Sequence, residues 1–148
     1  MRSWRFVVAD SLSAEELVRQ SIEAMKRGYG AIGESNLDAM LEIVHPDVVI
    51  RDRPESPDPR TYHGHEGARQ ALESSDETFD GFELVPEDFI VEGDYVIVVL
   101  TMRGTGRGSG ITLEERIAHQ WKVRDGMAVA LQVYSDPEAA IRDARADA

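Results

Sequence analysis

Residues 111–136 constrain the fold most, because they contain two alternating segments joined by Asp125-Gly126. This dipeptide supplies the positive φ angles of a two-residue hairpin turn, so the segments are expected to pair as antiparallel strands. Strand side chains alternate, and every second pair therefore shares one face. If Arg124 lies opposite Met127, that face combines a large ring, aliphatic walls and a few polar groups, which predicts a pocket lining. The predicted pairs are Val123 with Ala128, Trp121 with Ala130, His119 with Gln132, Ile117 with Tyr134, and Glu115 with Asp136.

The charge of the chain argues against polyanionic partners. It has 16 basic and 28 acidic residues, for a formal net charge of −12. Nucleic acids and anionic membranes are bound through clustered lysine and arginine, so neither is an expected partner. The acidic residues are spread along the chain and predict a solubilising surface.

Length and residue usage favour one small domain in a reducing compartment. The 148 residues can bury one hydrophobic core, and we expect a single domain over residues 1–148. No cysteine is present, which excludes disulfides, thiolate nucleophiles and cysteine metal sites. No apolar run of about 18 residues and no signal-peptide pattern occur, so a cytoplasmic location is expected.

Helical periodicity appears in four places. Ser13 and Glu16 form a capping box before a first helix over residues 14–32, with Tyr29 on its apolar stripe. A second helix is expected over residues 37–44, ended by Pro46, and a third over residues 65–75. Asp136-Pro137 predicts the start of a short last helix to about residue 143, with Asp136 as its cap.

Strand patterns fill most of the remaining chain. Residues 47–53 alternate, which places Val48, Ile50 and Asp52 on one face. Residues 79–91 and 95–103 predict two long strands, the second apolar on both faces and therefore central. The glycine-rich residues 104–110 lead into another strand rather than a helix, so a hairpin loop is favoured over a dinucleotide site. The proline-rich residues 54–62 predict a surface loop.

This order of elements, with the segments LEIVHPDVVIRD, TYHGHEGAR, RIAHQWKVRDG and VYSDPEAA, resembles the SnoaL-like branch of the NTF2-like superfamily over residues 14–144. The resemblance implies an α+β cone, in which a curved antiparallel sheet is wrapped by helices around a pocket. Members are usually dimers, and the superfamily includes isomerases, cyclases and non-catalytic binders, so the fold alone does not fix a function.

The resemblance also suggests catalytic residues. In ketosteroid isomerases of the superfamily, the catalytic base matches Asp52, the acidic oxyanion donor matches His119, and the tyrosine donor lies near Tyr29. A histidine at the acidic position argues against ketosteroid isomerisation itself and leaves a cyclase-like reaction open. SnoaL-type polyketide cyclases are similar in using a histidine and an aspartate, and Asp136 would match the latter.

We therefore expect cofactor-independent acid/base catalysis on an apolar carbonyl compound, with Asp52 as base and His119, helped by Tyr29, as donor. Each residue has a structural alternative. Asp52 could pair with an arginine, His119 could be a core histidine bonded to Gln132 or Tyr134, Tyr29 could only pack, and Asp136 could only cap a helix. Trp121, Ile117, Gln132 and Tyr134 are the expected ligand-binding residues. His63 and His65 lie in a glycine-rich helix entry, and no metal site is expected.

Two other functions stay open: a binding protein that uses the same pocket without turnover, and a dimerisation module with a filled interior. The predicted outer face of the hairpin is half apolar, which suggests a subunit interface and a homodimer. Its residues are Ala118, Val129, Leu131 and Val133 beside Arg116, Gln120 and Lys122.

Overall fold

The structure, a computed structural model, describes residues 14–33, 38, 41–42 and 44–147. Helices and strands in this part follow the predicted order of an α+β fold. They are α1 (Ala14–Gly33), β1 (Val44–Arg51), β2 (Thr61–His63), α2 (Gly64–Thr78), β3 (Phe79–Glu92), β4 (Tyr95–Gly106), β5 (Thr112–Arg124), β6 (Met127–Tyr134) and α3 (Pro137–Asp147).

Within the described residues, the strands form one six-stranded sheet in the order β2-β1-β6-β5-β4-β3. Neighbouring strands are antiparallel except β1 and β6, which run parallel. Both faces of β4 are buried, as its apolar sequence predicts. Val96, Val98 and Leu100 join the core shared with α1 and α2, whereas Ile97 and Val99 pack on the opposite face. The sheet therefore has an inner and an outer apolar surface.

The turn of the last hairpin is confirmed, but its predicted register is wrong beyond the second pair. Asp125 and Gly126 have φ angles of 52° and 79°, and Arg124 pairs with Met127 as expected. A β-bulge at Val129 then shifts the pairing by one residue. Val123 pairs with Ala128 and Lys122 with Ala130, so Val129 is an extra residue in β6 that has no partner in β5. Trp121 consequently lies opposite Leu131, not opposite Ala130.

The bulge reverses the side-chain direction of the rest of β6. His119 pairs with Val133, and Ile117 is no longer opposite Tyr134. Leu131 and Val133 now point to the interior, whereas Ala130, Gln132 and Tyr134 belong to the outer face with Lys122, Gln120 and Ala118.

The predictions for the helices have mixed outcomes. The first helix is confirmed as α1, although Ser13 of its capping box lies outside the described residues. Half of the residues of the helix predicted over residues 37–44 also lie outside them, and of the described ones Asp38 and Leu41 are helical. Val44 itself begins β1, and Pro46 lies within that strand, where the pairing with β6 is irregular, so Pro46 does not end a helix. Helix α2 is longer than predicted, and β2 replaces the end of the predicted surface loop.

Helix α3 packs on the outer face of the sheet. Ala140 and Ala144 are fully buried against Ile97, Val99 and Ala118. Their small side chains let the helix approach the strands closely. The predicted subunit interface thus loses Ala118 to α3, and Leu131 and Val133 to the interior. The homodimer itself stays a prediction.

The two ends of α3 are anchored by polar contacts. Asp136 caps its first turn, with Oδ1 3.0 Å from the Glu138 amide nitrogen. Arg145 pairs with Glu92 at 2.7 Å near the other end. In the described part of the chain, no helix has the length and hydropathy that a membrane span requires.

Candidate functional site

A cavity of about 290 Å³ lies between α1, α2 and the inner face of the sheet. This volume can hold a small organic molecule. Most of the lining is aliphatic or aromatic, and the polar side chains are few. The lining consists of Met25, Gly28, Tyr29, Val44, Ile50, Asp52, Arg53, Ser56, Ala68, Ala71, Leu72, Ser75, Phe79, Phe82, Leu84, Met102, Leu113, Ile117, His119, Trp121, Ala128, Leu131 and Val133.

Three aromatic side chains form a hydrogen-bonded series on one wall of the cavity. The Trp121 Nε1–H donates to Tyr29 Oη at 2.9 Å, and Tyr29 Oη lies 2.6 Å from His119 Nδ1. The Tyr29 and His119 rings also stack, with centroids 5.7 Å apart and an interplanar angle of 28°. Tyr29 comes from the apolar stripe of α1, and the other two residues alternate along β5, so helix and sheet each fix part of the series.

The series determines which nitrogen of His119 carries the proton. Indole nitrogen is only a donor, so Tyr29 Oη accepts from Trp121. The buried hydroxyl proton of Tyr29 then needs an acceptor, and among residues 14–33 and 44–147 that acceptor is His119 Nδ1. A neutral imidazole that accepts at Nδ1 carries its proton on Nε2.

Burial keeps both titratable groups of the series uncharged. It lowers the pKa of His119 to about 4, and desolvation of the charged imidazolium is the cause. Burial also raises the pKa of the Tyr29 hydroxyl, and the hydrogen bond from Trp121 only partly opposes this effect. At neutral pH the wall therefore presents a neutral imidazole supported by a neutral phenol.

The proton on His119 Nε2 is available to a ligand. His119 lines the cavity, and within residues 14–33 and 44–147 its Nε2 has no hydrogen-bond partner. Every fully buried side-chain nitrogen or oxygen in the described part of the chain has a hydrogen-bond partner. Because Nε2 has none, it is not fully buried, and it is open to the cavity. An N–H group in an apolar enclosure can stabilise a carbonyl oxygen or an oxyanion.

Asp52 lies just beyond the end of β1 and lines the same cavity, on the face shared with Val48 and Ile50 as predicted. Its Oδ2 accepts a hydrogen bond from the Arg60 amide at 3.1 Å, and its own amide donates to the Arg60 carbonyl at 3.0 Å. These bonds close the loop between β1 and β2. Oδ1 has no hydrogen-bond partner among the described residues.

A second polar group at the cavity involves Arg53, which sequence reasoning missed. Its Nη1 contacts Glu115 Oε2 at 2.5 Å and Ser135 Oγ at 3.3 Å. The alternation of residues 47–53 predicted that Arg53 faces away from Asp52, but β1 ends at Arg51 and both side chains line the cavity. Glu115 was the signal in the sequence that could have revealed it, because a carboxylate in an inward-facing row of β5 needs a cationic partner.

The remaining predicted site residues divide into two groups. Ile117 and Trp121 line the cavity. Gln132, Tyr134 and Asp136 do not line it: Gln132 Nε2 donates to the Asp52 carbonyl at 3.1 Å, Tyr134 Oη donates to Asp143 at 3.0 Å, and Asp136 is exposed as the cap of α3. The register shift accounts for Gln132 and Tyr134, and helix capping accounts for Asp136.

The two histidines weighed as metal ligands lie elsewhere. His65 Nε2 is 2.8 Å from the Val44 carbonyl oxygen, so this ring joins the start of α2 to β1. His63 is exposed on the edge strand β2. Neither ring is part of the cavity lining.

The sequence matches the model of the SnoaL-like domain over residues 19–131, which is more than half of the chain. None of the curated proteins matches the sequence at a significant level. The family match covers α1 except its first five residues, and all the strands except the last three residues of β6. It therefore includes Tyr29, Asp52, Arg53, His119 and Trp121.

Several solved structures share the fold. TerC, co-crystallised with polyporic acid, is 27% identical with a TM-score of 0.70, covering 86% of this chain and 98% of TerC. An NTF2-like protein of unknown function from Burkholderia pseudomallei is 25% identical with a TM-score of 0.71, covering 83% of this chain and 95% of its own. A protein with a ketosteroid isomerase-like fold from Catenulispora acidiphila is 17% identical with a TM-score of 0.66, covering 76% and 84%, and shows likeness of fold alone.

Proposed function

Because the chain belongs to the SnoaL-like family, we propose that its cavity binds an apolar carbonyl compound and catalyses proton transfer next to that carbonyl. The observation that carries the proposal is the Trp121–Tyr29–His119 series, which leaves a neutral Nε2–H as the donor at the cavity wall. The reaction would be of isomerase or cyclase type.

In the proposed first step, Asp52 Oδ1 takes a proton from the carbon beside the carbonyl. The C–H electron pair forms a carbon–carbon double bond, and the carbonyl π electrons move to oxygen. The resulting enolate oxygen accepts a hydrogen bond from His119 Nε2. Donors fixed in an apolar site stabilise such charge without reorganisation, and one well-placed donor contributes about 3 kcal/mol to the transition state.

Tyr29 and Trp121 act through His119 in this mechanism. As negative charge develops on the ligand oxygen, the imidazole donates more strongly from Nε2 and gains electron density, and a stronger bond from Tyr29 Oη to Nδ1 stabilises that added density. Trp121 supports Tyr29 in the same way. Hydrogen bonds arranged in series strengthen one another in a low-dielectric interior.

Deuterium exchange into a simple ketone tests the chemistry without knowledge of the natural substrate. Incubation of 2-tetralone with the protein in D₂O should accelerate exchange of its α-protons, followed by NMR. Asp52→Asn keeps the acceptor for the Arg60 amide and should reduce the acceleration at least about 100-fold. Asp136→Asn is the matched control, since asparagine caps helices equally well and position 136 is exposed. Full exchange by Asp52→Asn would refute the role of Asp52 as base.

A second candidate function is ligand binding without turnover. It is favoured by the hydrogen bonds of Asp52 to Arg60, which explain the position of this carboxylate without any chemistry. Binding alone predicts no exchange of 2-tetralone and only a small change of affinity in Asp52→Asn. A dimerisation module with a filled interior does not account for the cavity.

Ala128→Phe tests ligand occupancy under either candidate. Ala128 is buried in the cavity lining, so a phenyl ring there would occupy ligand space. 2-Tetralone is a suitable probe, because it is the neutral ketone of the exchange experiment and carries no charge. Calorimetry should show binding to the wild type and loss of binding to Ala128→Phe. Ala130→Phe on the outer face is the control and should leave binding unchanged.

A further inference from the structure

Arg53 offers hydrogen-bond donors that the described residues do not use. Among these residues, Glu115 and Ser135 contact Nη1 alone. Nε and Nη2 have no hydrogen-bond partner in the described part of the chain. Every fully buried side-chain nitrogen there has a partner, so Nε and Nη2 are accessible. The side chain lines the cavity and is 25% exposed, whereas His119 is 8% exposed. Arg53 thus lies nearer to solvent than the proposed donor His119.

We propose that Arg53 forms a second polar subsite of this cavity and selects neutral ligands that carry a second oxygen acceptor. The inference rests on the proposed function, in which His119 binds the first oxygen. His119 and Arg53 would then each bind an oxygen at one end of the same ligand, and the body of the ligand between these oxygens would be apolar.

The spacing follows from β5. Leu113, Ile117, His119 and Trp121 line the cavity at alternate positions, and Glu115 belongs to the same row. Four residues of extended strand separate the Cα atoms of Glu115 and His119 by about 13 Å. Because Arg53 is paired with Glu115, the two ligand oxygens are expected on the order of 10 Å apart. Ile117 lies between them and provides an apolar contact for the body of the ligand.

The local charge argues for a neutral acceptor over an anion. Glu115 pairs directly with Arg53, Asp52 lines the same end of the cavity, and Glu55 accepts a hydrogen bond from Ser135 at 3.3 Å. Arg53 is therefore paired with one carboxylate, and two more lie close to it. An anionic ligand would meet net repulsion, whereas a carbonyl or hydroxyl oxygen can accept from Nη2 or Nε without adding charge.

Three naphthalene ketones test the subsite by isothermal titration calorimetry. They are 2-acetylnaphthalene, with one carbonyl, 2,6-diacetylnaphthalene, with one at each end, and 6-acetyl-2-naphthoate, with an anion at the second end. A hydrogen bond to a charged donor should make the wild type bind the diacetyl compound about 5- to 20-fold more tightly than the monoacetyl compound. The naphthoate should bind more weakly than the diacetyl compound.

Two variants separate Arg53 from its partner. Glu115→Gln keeps the size of the side chain and frees Arg53 from its counter-charge, so the naphthoate should gain about 10-fold or more in affinity. The double variant Arg53→Gln/Glu115→Gln avoids an unpaired carboxylate and should bind the monoacetyl and diacetyl compounds within about 2-fold of one another. The naphthoate should bind it more weakly, because Asp52 and Glu55 remain. Glu114→Gln is the control, because Glu114 pairs with Arg103 and is exposed.

The possible failures are distinguishable. If the wild type binds the monoacetyl and diacetyl compounds equally, the Arg53 subsite is refuted and the role of His119 stands. If neither compound binds, both the subsite and the proposed function are refuted. A diacetyl preference that persists in the double variant would assign the second acceptor to a group other than Arg53.

Discussion

Burial makes the Tyr29 hydroxyl and the His119 imidazole depend on one another. Each has one hydrogen-bonding function that only the other satisfies, since the Tyr29 proton needs Nδ1 and Nδ1 has no other donor among the described residues. An unsatisfied buried polar group costs about 1–3 kcal/mol, so loss of either side chain also penalises its partner. The pair is therefore a structural element of the core as well as a candidate site.

The lowered pKa of His119 predicts a specific loss of stability in acid. Unfolded histidine titrates near 6.5, and the folded imidazole titrates near 4. Between these values the unfolded state binds more protons, so the free energy of unfolding falls as pH falls through this window. Relative to His119→Gln, the wild type should lose about 2 kcal/mol between pH 7.5 and pH 5. Urea unfolding at each pH measures the difference.

Tyr29→Phe is the informative comparison for this titration. Desolvation causes the shift in the His119 pKa, and phenylalanine preserves the burial. The variant should be less stable at every pH but should retain the wild-type slope. Asp52 and Arg53 line the same cavity and remain present in all three proteins, so their contributions cancel. A slope in the wild type equal to that of His119→Gln would show that His119 titrates normally.

The candidate residues were predictable to different degrees. His119 could be placed because alternation assigns it to the inward face of β5, and Tyr29 because it lies on the apolar stripe of α1. The alternation of β1, continued past its end at Arg51, was right for Asp52 and wrong for Arg53, because a chain that has left the strand no longer alternates. The tyrosine partner of His119 also escaped prediction, since the contact joins residues 90 positions apart.

At the scale of elements, the hairpin shows that sequence patterns can predict a turn but not a β-bulge. Its turn was predictable because few dipeptides tolerate two consecutive positive φ angles. The bulge at Val129 was not predictable, because the segment MAVALQVY has apolar residues on both faces and is compatible with either register. The energetic choice depends on packing in three dimensions: Leu131 and Val133 fill the interior, and Gln132 and Tyr134 reach polar partners outside.

The docking of α3 predicts a position-specific effect of charge. Ala144 is fully buried against the sheet, whereas Ala146, two residues later on the same helix, is exposed. Ala144→Glu would place a carboxylate against Ile97 and Val99 and should lower the free energy of unfolding by about 2–4 kcal/mol. Ala146→Glu is the matched control and should change it by less than about 0.5 kcal/mol. Equal effects of the two substitutions would contradict the docked position of the helix.

For the whole molecule, the two faces of the sheet pack against different elements. The inner face, with α1 and α2, encloses the cavity, and the outer face is shared between α3 and solvent. A sheet whose outer face is held by its own helix can keep its inner face concave and incompletely filled. The apolar contacts of α3 on β4 and β5 thus support the strand that carries His119.

We expect the predicted homodimer to use the part of the outer face that α3 leaves accessible. That part includes Val49 of β1 and its partner Ala130 of β6, both only partly buried. Light scattering of the full chain at micromolar concentration should give twice the mass of one chain. Ala130→Glu would place a carboxylate from each copy at a twofold interface and should give the monomer mass, because like charges repel and desolvation is costly. Ala146→Glu, which lies on the exposed side of α3, should remain dimeric. A monomeric wild type would end the prediction, and a dimer unaffected by Ala130→Glu would place the interface away from β1 and β6.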